Sequence, residues 1–468
     1  MKTNRPQTGI VHLGLGAFFR AFGCIYVADA MASSGGDWGV VGVSLRSSST
    51  RDALREQDWT YTAVSLNNDG ENCRIISVLN DVLVAPEDPA AVLDVMVSPS
   101  VHIVSMTVTE KGYCHNPATG ELDIEHADIQ HDLFSSMPIS APGFIVRALQ
   151  QRHRSGLGPF TVLTCDNLPE NGELTRRVVL QLAKMIDPVL HDWIVEHCLF
   201  PSTMVDRITP ATTESDIAHV KTLTGRYDAA PVMHEPFSQW VIEDTFVGGV
   251  RPDLAVAGVE LVEDVTAYEI MKLRMLNGTH SALAYNGYLA GHETIADAMA
   301  DPVFADYVRI LWDEIMPTVK APPGVNLANY ADALFDRFSN SKIQHRTWQI
   351  AMDGSQKLPQ RLLGTLRENI LAGRESPGLL LAVAAWMRYV SGIDESGQSI
   401  DVRDPMSLRL QELIALTDTS EQMVSSLLSV REIFSANMTD MLLEPLVLAV
   451  ESLKILGTRG ALVELCHA

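Results

Sequence analysis

The chain has 468 residues and carries 35 lysines and arginines against 58 aspartates and glutamates, a formal net charge of −23 at pH 7. So acidic a surface repels nucleic acid and anionic membranes, which excludes both as general partners. Hydrophobic residues make up 46% of the chain and charged residues 20%, a globular balance with room for two or three domains. The longest apolar run, residues 378–387, has about half the length that a membrane helix needs.

Strand-like and helix-like segments alternate through the first part of the chain. Strands are predicted over residues 10–15, 38–45, 101–108 and 160–165, with β-rich apolar residues over 74–84. Helices are predicted over residues 19–32 and 173–185. This alternation predicts an α/β domain with a mostly parallel sheet.

The pattern becomes mainly helical from about residue 267. Helices are predicted over residues 270–289, 302–319, 329–338, 361–371, 378–389, 406–416, 420–429 and 441–456. We therefore predict a first domain over residues 1–265 and a second, mainly α-helical domain over residues 266–468.

The cysteines are sparse and fit no disulfide or metal pattern. They are Cys24, Cys73, Cys114, Cys165, Cys198 and Cys466. No C-x-x-C pair occurs, and the spacing matches no structural zinc site. The polar N-terminal residues lead into an apolar strand without a secretory apolar region. We therefore expect a cytoplasmic protein with reduced, mostly buried thiols, existing as a monomer or a small homo-oligomer.

The first predicted strand runs into Gly14 and Gly16, just before a predicted helix. Glycine permits the tight turn, and its missing Cβ lets a pyrophosphate approach the backbone at a helix N-terminus. Phe19 replaces the third glycine of the G-x-G-x-x-G pattern, so the prediction of dinucleotide binding depends on the position after the first strand. The alternative is a glycine turn that binds no ligand.

The second predicted strand does not end in the acidic residue that typically binds the ribose 2′-hydroxyl of NAD. It ends in Leu45 and Arg46, followed by three serines, a pattern more typical of a site for the 2′-phosphate of NADP. Arg46 can equally be a solvated loop residue, and Asp52 is a downstream acid that can replace the missing contact. From these residues alone, NAD and NADP both remain open.

Lys272, Asn277 and His280 follow the spacing K-x4-N-x2-H. At about 100° per residue in an ideal helix, these residues and Glu269 lie within one arc of about 140°, together with two leucines. Such a face is costly to bury without a function. We expect the low-dielectric surroundings and the imidazole to lower the pKa of the lysine, which could then act as a general base. The alternative is a structural ion pair between Glu269 and Lys272.

Two further polar clusters accompany predicted strands. Asp166 and Asn167 follow residues 160–165, at the sheet edge where α/β proteins hold ligands, and the amide of Asn167 can polarise a carbonyl there. The same residues also suit a turn. Asp206 and Arg207 lie in an apolar segment and are either site groups or an ion pair.

Seven segments resemble the long-chain mannitol dehydrogenase family, which includes the fructuronate reductases, also called D-mannonate oxidoreductases. They are GLGAFFRAF, VTEKGYC, CDNLPENG, FPSTMVDRITP, EPFSQWVIED, KLRMLNGTHSALAYNGYLAG and MDGSQKLPQRLL. The segments span residues 14–363 in the family's order. The segments most similar to the D-mannonate oxidoreductase branch of the family are TVTEKGYC, EPFSQWVIED and RTWQIAMDGSQKLPQR.

The resemblance implies a metal-independent, nicotinamide-dependent oxidoreductase with a Rossmann-like N-terminal domain and a helical, substrate-binding C-terminal domain. Lys272 is then the general acid/base, and Asn167 and Asn277 clamp the reacting oxygen. His280 positions the substrate or the cofactor, and Glu269 relays the proton.

The same resemblance implies that Asp206 and Lys357 face the substrate. The predicted coenzyme-binding residues are Gly14, Gly16, Phe18, Arg20, Arg46, Thr109 and Asp166. Two departures from the family pattern stand out: Phe19 replaces a common histidine, and the second strand ends without an acid, which weakens the assignment of NAD.

The expected reaction is reversible hydride transfer that interconverts D-mannonate and D-fructuronate, with NAD favoured over NADP. The alternative within the family is a polyol 2-dehydrogenase acting on mannitol or arabinitol.

Three classes outside the family are disfavoured. Tyr268 and Lys272 match the Tyr-x3-Lys pair of short-chain dehydrogenases, but the chain is too long for that class. The cysteine spacing disfavours a zinc-dependent enzyme, and the retained lysine, asparagines and histidine disfavour a non-catalytic nucleotide sensor.

Overall fold

The computed structural model describes residues 5–117 and 119–467, which divide into two compact units, Met1–Thr266 and Ala267–Ala468. The first unit is α/β. Its strands are β1 Thr8–Leu13, β2 Gly39–Ser44, β3 Tyr61–Asn67, β4 Gly70–Ile76, β5 Leu79–Val84, β6 Ile103–Met106, β7 Thr161–Thr164, β8 Thr203–Asp206, β9 Val232–His234, β10 Gln239–Glu243 and β11 Glu260–Val262. Its helices are α1 Ala17–Ala21, α2 Gly23–Ser34, α3 Ser49–Arg55, α4 Pro89–Val97, α5 Ala127–Phe134, α6 Ala141–Arg154, α7 Asn171–Ile186, α8 Pro188–His197 and α9 Glu214–Thr224.

The main sheet has five parallel strands in the order β5-β2-β1-β6-β7. Alternate residues of each strand face opposite sides, so Val11 and Leu13 enter one apolar core while Ile10 enters the other. Both faces are covered, as expected for a parallel sheet. The predicted Rossmann-like fold is confirmed, and the strand order reverses on either side of β1, where such sheets bind ligands.

Two smaller sheets complete the first unit. One has the order β11-β10-β8, and the other has the order β4-β3-β9 with β3 and β4 antiparallel. The β3–β4 pairing was not predicted from the sequence. The predicted helix over residues 19–32 is in fact two helices, because the backbone leaves helical geometry at Phe22 (φ −126°, ψ −86°).

The second unit is helical. Its helices are α10 Thr266–Met271, α11 Thr279–Leu289, α12 Ile295–Ala300, α13 Pro302–Ile315, α14 Leu327–Phe338, α15 Thr347–Ala351, α16 Gly354–Leu358, α17 Gly364–Leu371, α18 Pro377–Tyr389, α19 Ser407–Ala415, α20 Ser420–Leu428 and α21 Thr439–His467. Two π-helical turns, Lys272–Gly278 and Pro359–Leu363, interrupt the α-helical pattern.

Local signals explain where several of these helices begin. Thr294 and Thr419 each accept a backbone hydrogen bond in a capping box, and Pro302 and Pro377 occupy first turns, where the missing N–H costs nothing. The last helix is broken at Gly457, which adopts φ 70°. In the part of the chain that is described, no helix combines the length and apolarity needed to cross a bilayer.

Candidate active site

A glycine turn follows β1 at the switch point of the main sheet. Gly14 adopts φ +86°, and an added Cβ would lie 2.1 Å from the carbonyl oxygen of Thr107, so no other residue fits there. At Gly16, just before α1, an added Cβ would meet nothing nearer than 3.9 Å. Gly14 is therefore required by the close packing of this turn against Thr107, next to β6. Gly16 has no such contact, and the space beside its Cα is open to a ligand.

A cavity of about 670 Å³ opens beside this turn. Of the seven predicted coenzyme-binding residues, Gly14, Gly16, Arg46 and Thr109 lie on its wall. The wall also includes Lys111, Cys114, His126, Asp128 and Ser140, which sequence analysis did not single out as binding residues. Only the motif VTEKGYC, which contains Lys111 and Cys114, pointed to part of this surface.

Asp166 contacts the loop that forms the cavity wall. Its carboxylate accepts hydrogen bonds from the backbone N–H groups of Val108 (2.9 Å) and Thr109 (3.2 Å) and from the hydroxyl of Tyr113 (2.8 Å). Burial nevertheless raises its pKa. These bonds hold Thr109 at φ 64°, outside the usual backbone range, so the contacts of Asp166 serve to position the cavity wall.

Phe18 and Arg20 do not line the cavity. Phe18 stacks on Phe22 with ring centroids 5.0 Å apart. Arg20 is buried and donates to the carbonyl oxygen of Ala230 at 2.5 Å, with its guanidinium over the ring of Tyr61. Arg20 therefore packs α1 within the first unit, so its predicted contact with a coenzyme would require a rearrangement.

The residues after β2 determine the charge near the ribose end of the expected coenzyme site. Arg46 is exposed on the cavity wall. Asp52 is bound to the Arg51 guanidinium at 2.8 Å and does not line the cavity, so it does not replace the missing acid. Asp128 supplies the one carboxylate among the described wall residues.

Phe19 and Arg207 are structural. Phe19 stacks on the buried ring of His12 with centroids 3.4 Å apart, and burial lowers the pKa of that histidine. Arg207 donates to the carbonyl oxygens of Ala21 (2.5 Å) and Phe237 (3.0 Å), which ties α1 to the small sheets.

Two predicted site residues of the first unit differ in exposure. Asp206, the last residue of β8, is buried, whereas Asn167, beyond β7, is exposed within the first unit.

In the second unit, Lys272 and Asn277 lie on a π-helical turn, and His280 follows in α11. The assumption of an ideal α-helix is wrong over Lys272–Gly278, because a π-helix bonds residue i to residue i+5. A π-helical turn therefore brings Asn277 closer to the helix face of Lys272 than an ideal α-helix would. Such turns occur frequently at functional sites.

Lys272, Asn277 and His280 are each at most 7% exposed, and Glu269 is half-buried. The Nδ2 atom of Asn277 is buried and has no hydrogen-bond partner among the described residues. A buried amide donor is costly when unpaired, so this atom is poised for an acceptor on a ligand.

The surroundings of His280 keep its imidazole neutral. The ring stacks on Phe338 with centroids 5.0 Å apart and meets His345 edge-on at 4.9 Å. Burial lowers the pKa of His280 well below its usual range, and the nearby positive charges of Arg361 and Lys357 lower it further. A neutral imidazole offers one donor and one acceptor for orienting a hydroxyl.

Lys357 lies in the last turn of α16. The residue that precedes this helix, Asp353, adopts φ 55°. The Lys357 ammonium donates to the carbonyl oxygen of Met352 at 2.5 Å. Burial, with Arg361 close by, lowers the pKa of Lys357 to about 8. It therefore remains largely charged at neutral pH and lies in the same positive neighbourhood as His280.

One group of described side chains has the composition of a metal site. The ligand atoms of Cys114, His126 and Asp128 all lie within 4.8 Å of one another on the cavity wall. The imidazole Nδ1 of His126 already accepts a hydrogen bond from the N–H of Asp128 at 3.2 Å. All six cysteines are free thiols, four of them buried, in agreement with the prediction.

Comparison with known proteins identifies the family. Residues 8–256 match the mannitol dehydrogenase Rossmann domain, and residues 264–454 match the mannitol dehydrogenase C-terminal domain. The chain belongs to the mannitol dehydrogenase family. This mannitol dehydrogenase family member is therefore an oxidoreductase, as the motifs predicted.

Relatives of this family member include several dehydrogenases. It is 48% identical to the uncharacterized oxidoreductase YeiQ of Escherichia coli over 93% of this chain and 89% of that one. It is 44% identical to the D-mannonate oxidoreductase of the same organism, over 92% and 90%. The structure of Pseudomonas fluorescens mannitol 2-dehydrogenase in a ternary complex with NAD and D-mannitol matches with a TM-score of 0.89 and 39% identity, over 99% and 95%.

Proposed function

We propose that the protein is an NAD-dependent secondary-alcohol dehydrogenase that interconverts D-mannonate and D-fructuronate by reversible hydride transfer at C5. The observation that carries the proposal is the burial of Lys272, Asn277 and His280 on and beside one π-helical turn, with the Nδ2 atom of Asn277 unpaired among the described residues. The mannonate motifs and the 44% identity to D-mannonate oxidoreductase support the substrate.

The cavity of the first unit suits a dinucleotide. Gly16 leaves room for a close approach of phosphate, and Arg46 and Thr109 lie on the same wall. NAD, which the P. fluorescens relative binds, would accept a hydride from the substrate carbon. Asp166 would maintain the shape of the wall, and NADP is the second candidate because Arg46 can pair with a 2′-phosphate.

In the proposed mechanism, Lys272 in its neutral form removes the proton of the substrate hydroxyl, and Glu269 passes that proton to solvent. The amides of Asn167 and Asn277 donate hydrogen bonds to the oxygen as negative charge develops on it. His280 orients the hydroxyl, while Asp206 and Lys357 bind the rest of the substrate. In the reverse direction the ammonium of Lys272 returns the proton to the carbonyl oxygen.

The proposal requires no metal, because two amides and an ammonium can stabilise the developing charge. We place the enzyme in the cytoplasm, where its free thiols stay reduced. The competing function is a polyol 2-dehydrogenase acting on mannitol or arabinitol. It is favoured by the similarity to the mannitol 2-dehydrogenase that binds D-mannitol.

Initial rates with hexonates and alditols, each with NAD and NADP, test the proposal. We expect D-mannonate with NAD to give the highest kcat/KM, and we expect exhaustive chelation to leave that rate unchanged. Mannitol or arabinitol as the preferred substrate would favour the competing function. Loss of activity on chelation, restored by Zn²⁺, would overturn the metal-independent mechanism and direct attention to Cys114, His126 and Asp128.

A further inference from the structure

Arg361, in the second π-helical turn, has a guanidinium without a counterion. Its Nη1 donates to the hydroxyl of Ser281 at 3.1 Å, and its buried Nε has no hydrogen-bond partner among the described residues. No described carboxylate lies within ion-pair distance of it. Arg274 and Arg459, in the same unit, are paired with Glu368 (2.6 Å) and Asp301 (2.7 Å).

The position of Arg361 puts this charge beside the candidate active site. A Cβ added at Gly278 would lie 2.7 Å from the carbonyl oxygen of Arg361, so the two π-helical turns are in direct contact. Ser281, the hydrogen-bond partner of the guanidinium, follows His280 in the chain. The arginine is therefore held against the segment that carries Lys272, Asn277 and His280.

The neighbourhood of Arg361 is positive. Burial lowers its own pKa to about 10, so it stays charged at neutral pH. Its charge also lowers the pKa of Lys357 and of His280. Asp353 and Asp404 act on Lys357, whose pKa their charges raise in part, but neither forms an ion pair with Arg361. The Asp404 carboxylate accepts hydrogen bonds from the backbone N–H and the hydroxyl of Ser355.

A partly buried cation without a counterion costs free energy, which an anionic ligand can recover. The planar guanidinium presents parallel N–H donors that match the two oxygens of a carboxylate. We propose that Arg361 binds the carboxylate of the substrate and thereby selects sugar acids over polyols. This inference rests on the proposed function and adds to it the residue that distinguishes a hexonate from an alditol.

The test compares kcat/KM for D-mannonate and D-mannitol, both with NAD, in the parent, Arg361→Gln, Arg361→Lys and a control, Arg367→Gln. Arg367 is exposed in the neighbouring helix, so the control removes an equal charge from the surface. Arg361→Gln should lower the value for D-mannonate by about 100-fold or more, mainly through KM, and change that for D-mannitol by less than about threefold. Arg361→Lys should give a smaller, equally selective loss, and the control should match the parent.

The outcomes separate this inference from the proposed function. A parent that oxidises polyols and no sugar acid would overturn the proposed function, and the carboxylate role with it. A parent that oxidises D-mannonate, with Arg361→Gln either unchanged or equally impaired on both substrates, would overturn only the role of Arg361. Where Arg361→Gln does not fold, as judged by thermal unfolding, Arg361→Lys decides, and an unselective effect there would overturn the inference.

Discussion

Lys272 has the surroundings that proton transfer requires, because burial excludes water and a neutral imidazole lies on the same helical segment. The buried, unpaired Nδ2 of Asn277 adds a donor for the oxygen that gains charge. The first unit contributes Asn167 and Asp206 by our proposal. Among single residues, the proposed mechanism therefore depends most on Lys272, the group that exchanges a proton with the substrate.

Replacing Lys272 with alanine should reduce kcat by about 10²–10⁴-fold or more, since a positioned general base contributes that much and charge stabilisation is lost as well. Coenzyme affinity, measured by quenching of protein fluorescence, should stay within about threefold of the parent. Lys320→Ala, at an exposed position of the same unit, is the control and should retain full activity. Activity of Lys272→Ala close to the parent's would show that another group is the base.

Arg46 should make NADP a tolerated second coenzyme. It is exposed on the cavity wall, and Asp52 is engaged by Arg51 instead of facing the cavity. We expect kcat/KM to favour NAD in the parent, and Arg46→Ala to weaken NADP use selectively. The comparison requires both coenzymes with both proteins. A strong NADP preference in the parent that Arg46→Ala abolishes would reverse the assignment, and discrimination against NADP beyond ~10³-fold would indicate a carboxylate such as Asp128 at the ribose.

At the scale of elements, the contact between the two π-helical turns controls the geometry of the second unit's site. Gly278→Ala would place a methyl group 2.7 Å from the carbonyl oxygen of Arg361. We expect a loss of stability of about 1–3 kcal/mol and a reduced kcat, because Asn277 and His280 must move with the backbone.

Gly364→Ala is the matched control for that substitution. Its Cβ would meet nothing nearer than 3.7 Å and would lie in the first turn of α17, so it should be neutral or mildly stabilising. Thermal unfolding and steady-state kinetics of both variants provide the check. Equal behaviour of the two variants would contradict the view that Gly278 is required by the contact.

Glu314 caps α18 by accepting hydrogen bonds from the N–H groups of Gly378 and Leu379, both at 2.8 Å. Burial raises its pKa to about 7 despite these bonds. The folded state therefore binds a proton more tightly than the unfolded state, and this contribution to stability is complete below about pH 4.5 and lost as the pH rises to about 7.

Glu314→Gln should remove this pH dependence. The difference in Tm between variant and parent should shift in favour of the variant as the pH rises from about 5 to about 8, with a total change of at most about 3 kcal/mol in stability. Scanning calorimetry across that range measures it. A difference in Tm that is constant with pH would show that the Glu314 carboxyl titrates normally in the folded protein.

Apolar periodicity predicted the long helices of the second unit and the main-sheet strands β1, β2, β6 and β7, because those elements are determined by which of their faces enter the core. It missed helix α6 and the largely buried strand β3. It did not predict β4, whose residues Gly70–Arg74 are exposed and carry no alternating pattern. The π-helical turns were also missed, because apolar periodicity does not distinguish them from α-helix. They meet where Gly278 approaches Arg361, two residues far apart in the chain. Sequence spacing therefore led to the proposed catalytic residues but gave the wrong helical angle between Lys272 and Asn277.

For the whole molecule, composition and element order predicted an α/β unit followed by a helical unit, and the family comparison confirms the oxidoreductase class. The sequence could not specify the cavity that we propose for the coenzyme, whose wall combines Gly16, Arg46, Thr109, Asp128 and Ser140 from five separate segments. The sequence likewise could not predict that Arg361 lacks a counterion, because this depends on which acidic residues the fold places near it.

Identification of the product formed from D-mannonate decides whether the protein is a D-mannonate dehydrogenase that acts at C5. After chelation to remove metals, the protein is incubated with D-mannonate and NAD, and the product is analysed by NMR. We expect oxidation at C5 to D-fructuronate, with one NADH formed for each product molecule and no product from Lys272→Ala. A carbonyl at another carbon, or no oxidation of D-mannonate by the active protein, would contradict the proposed function.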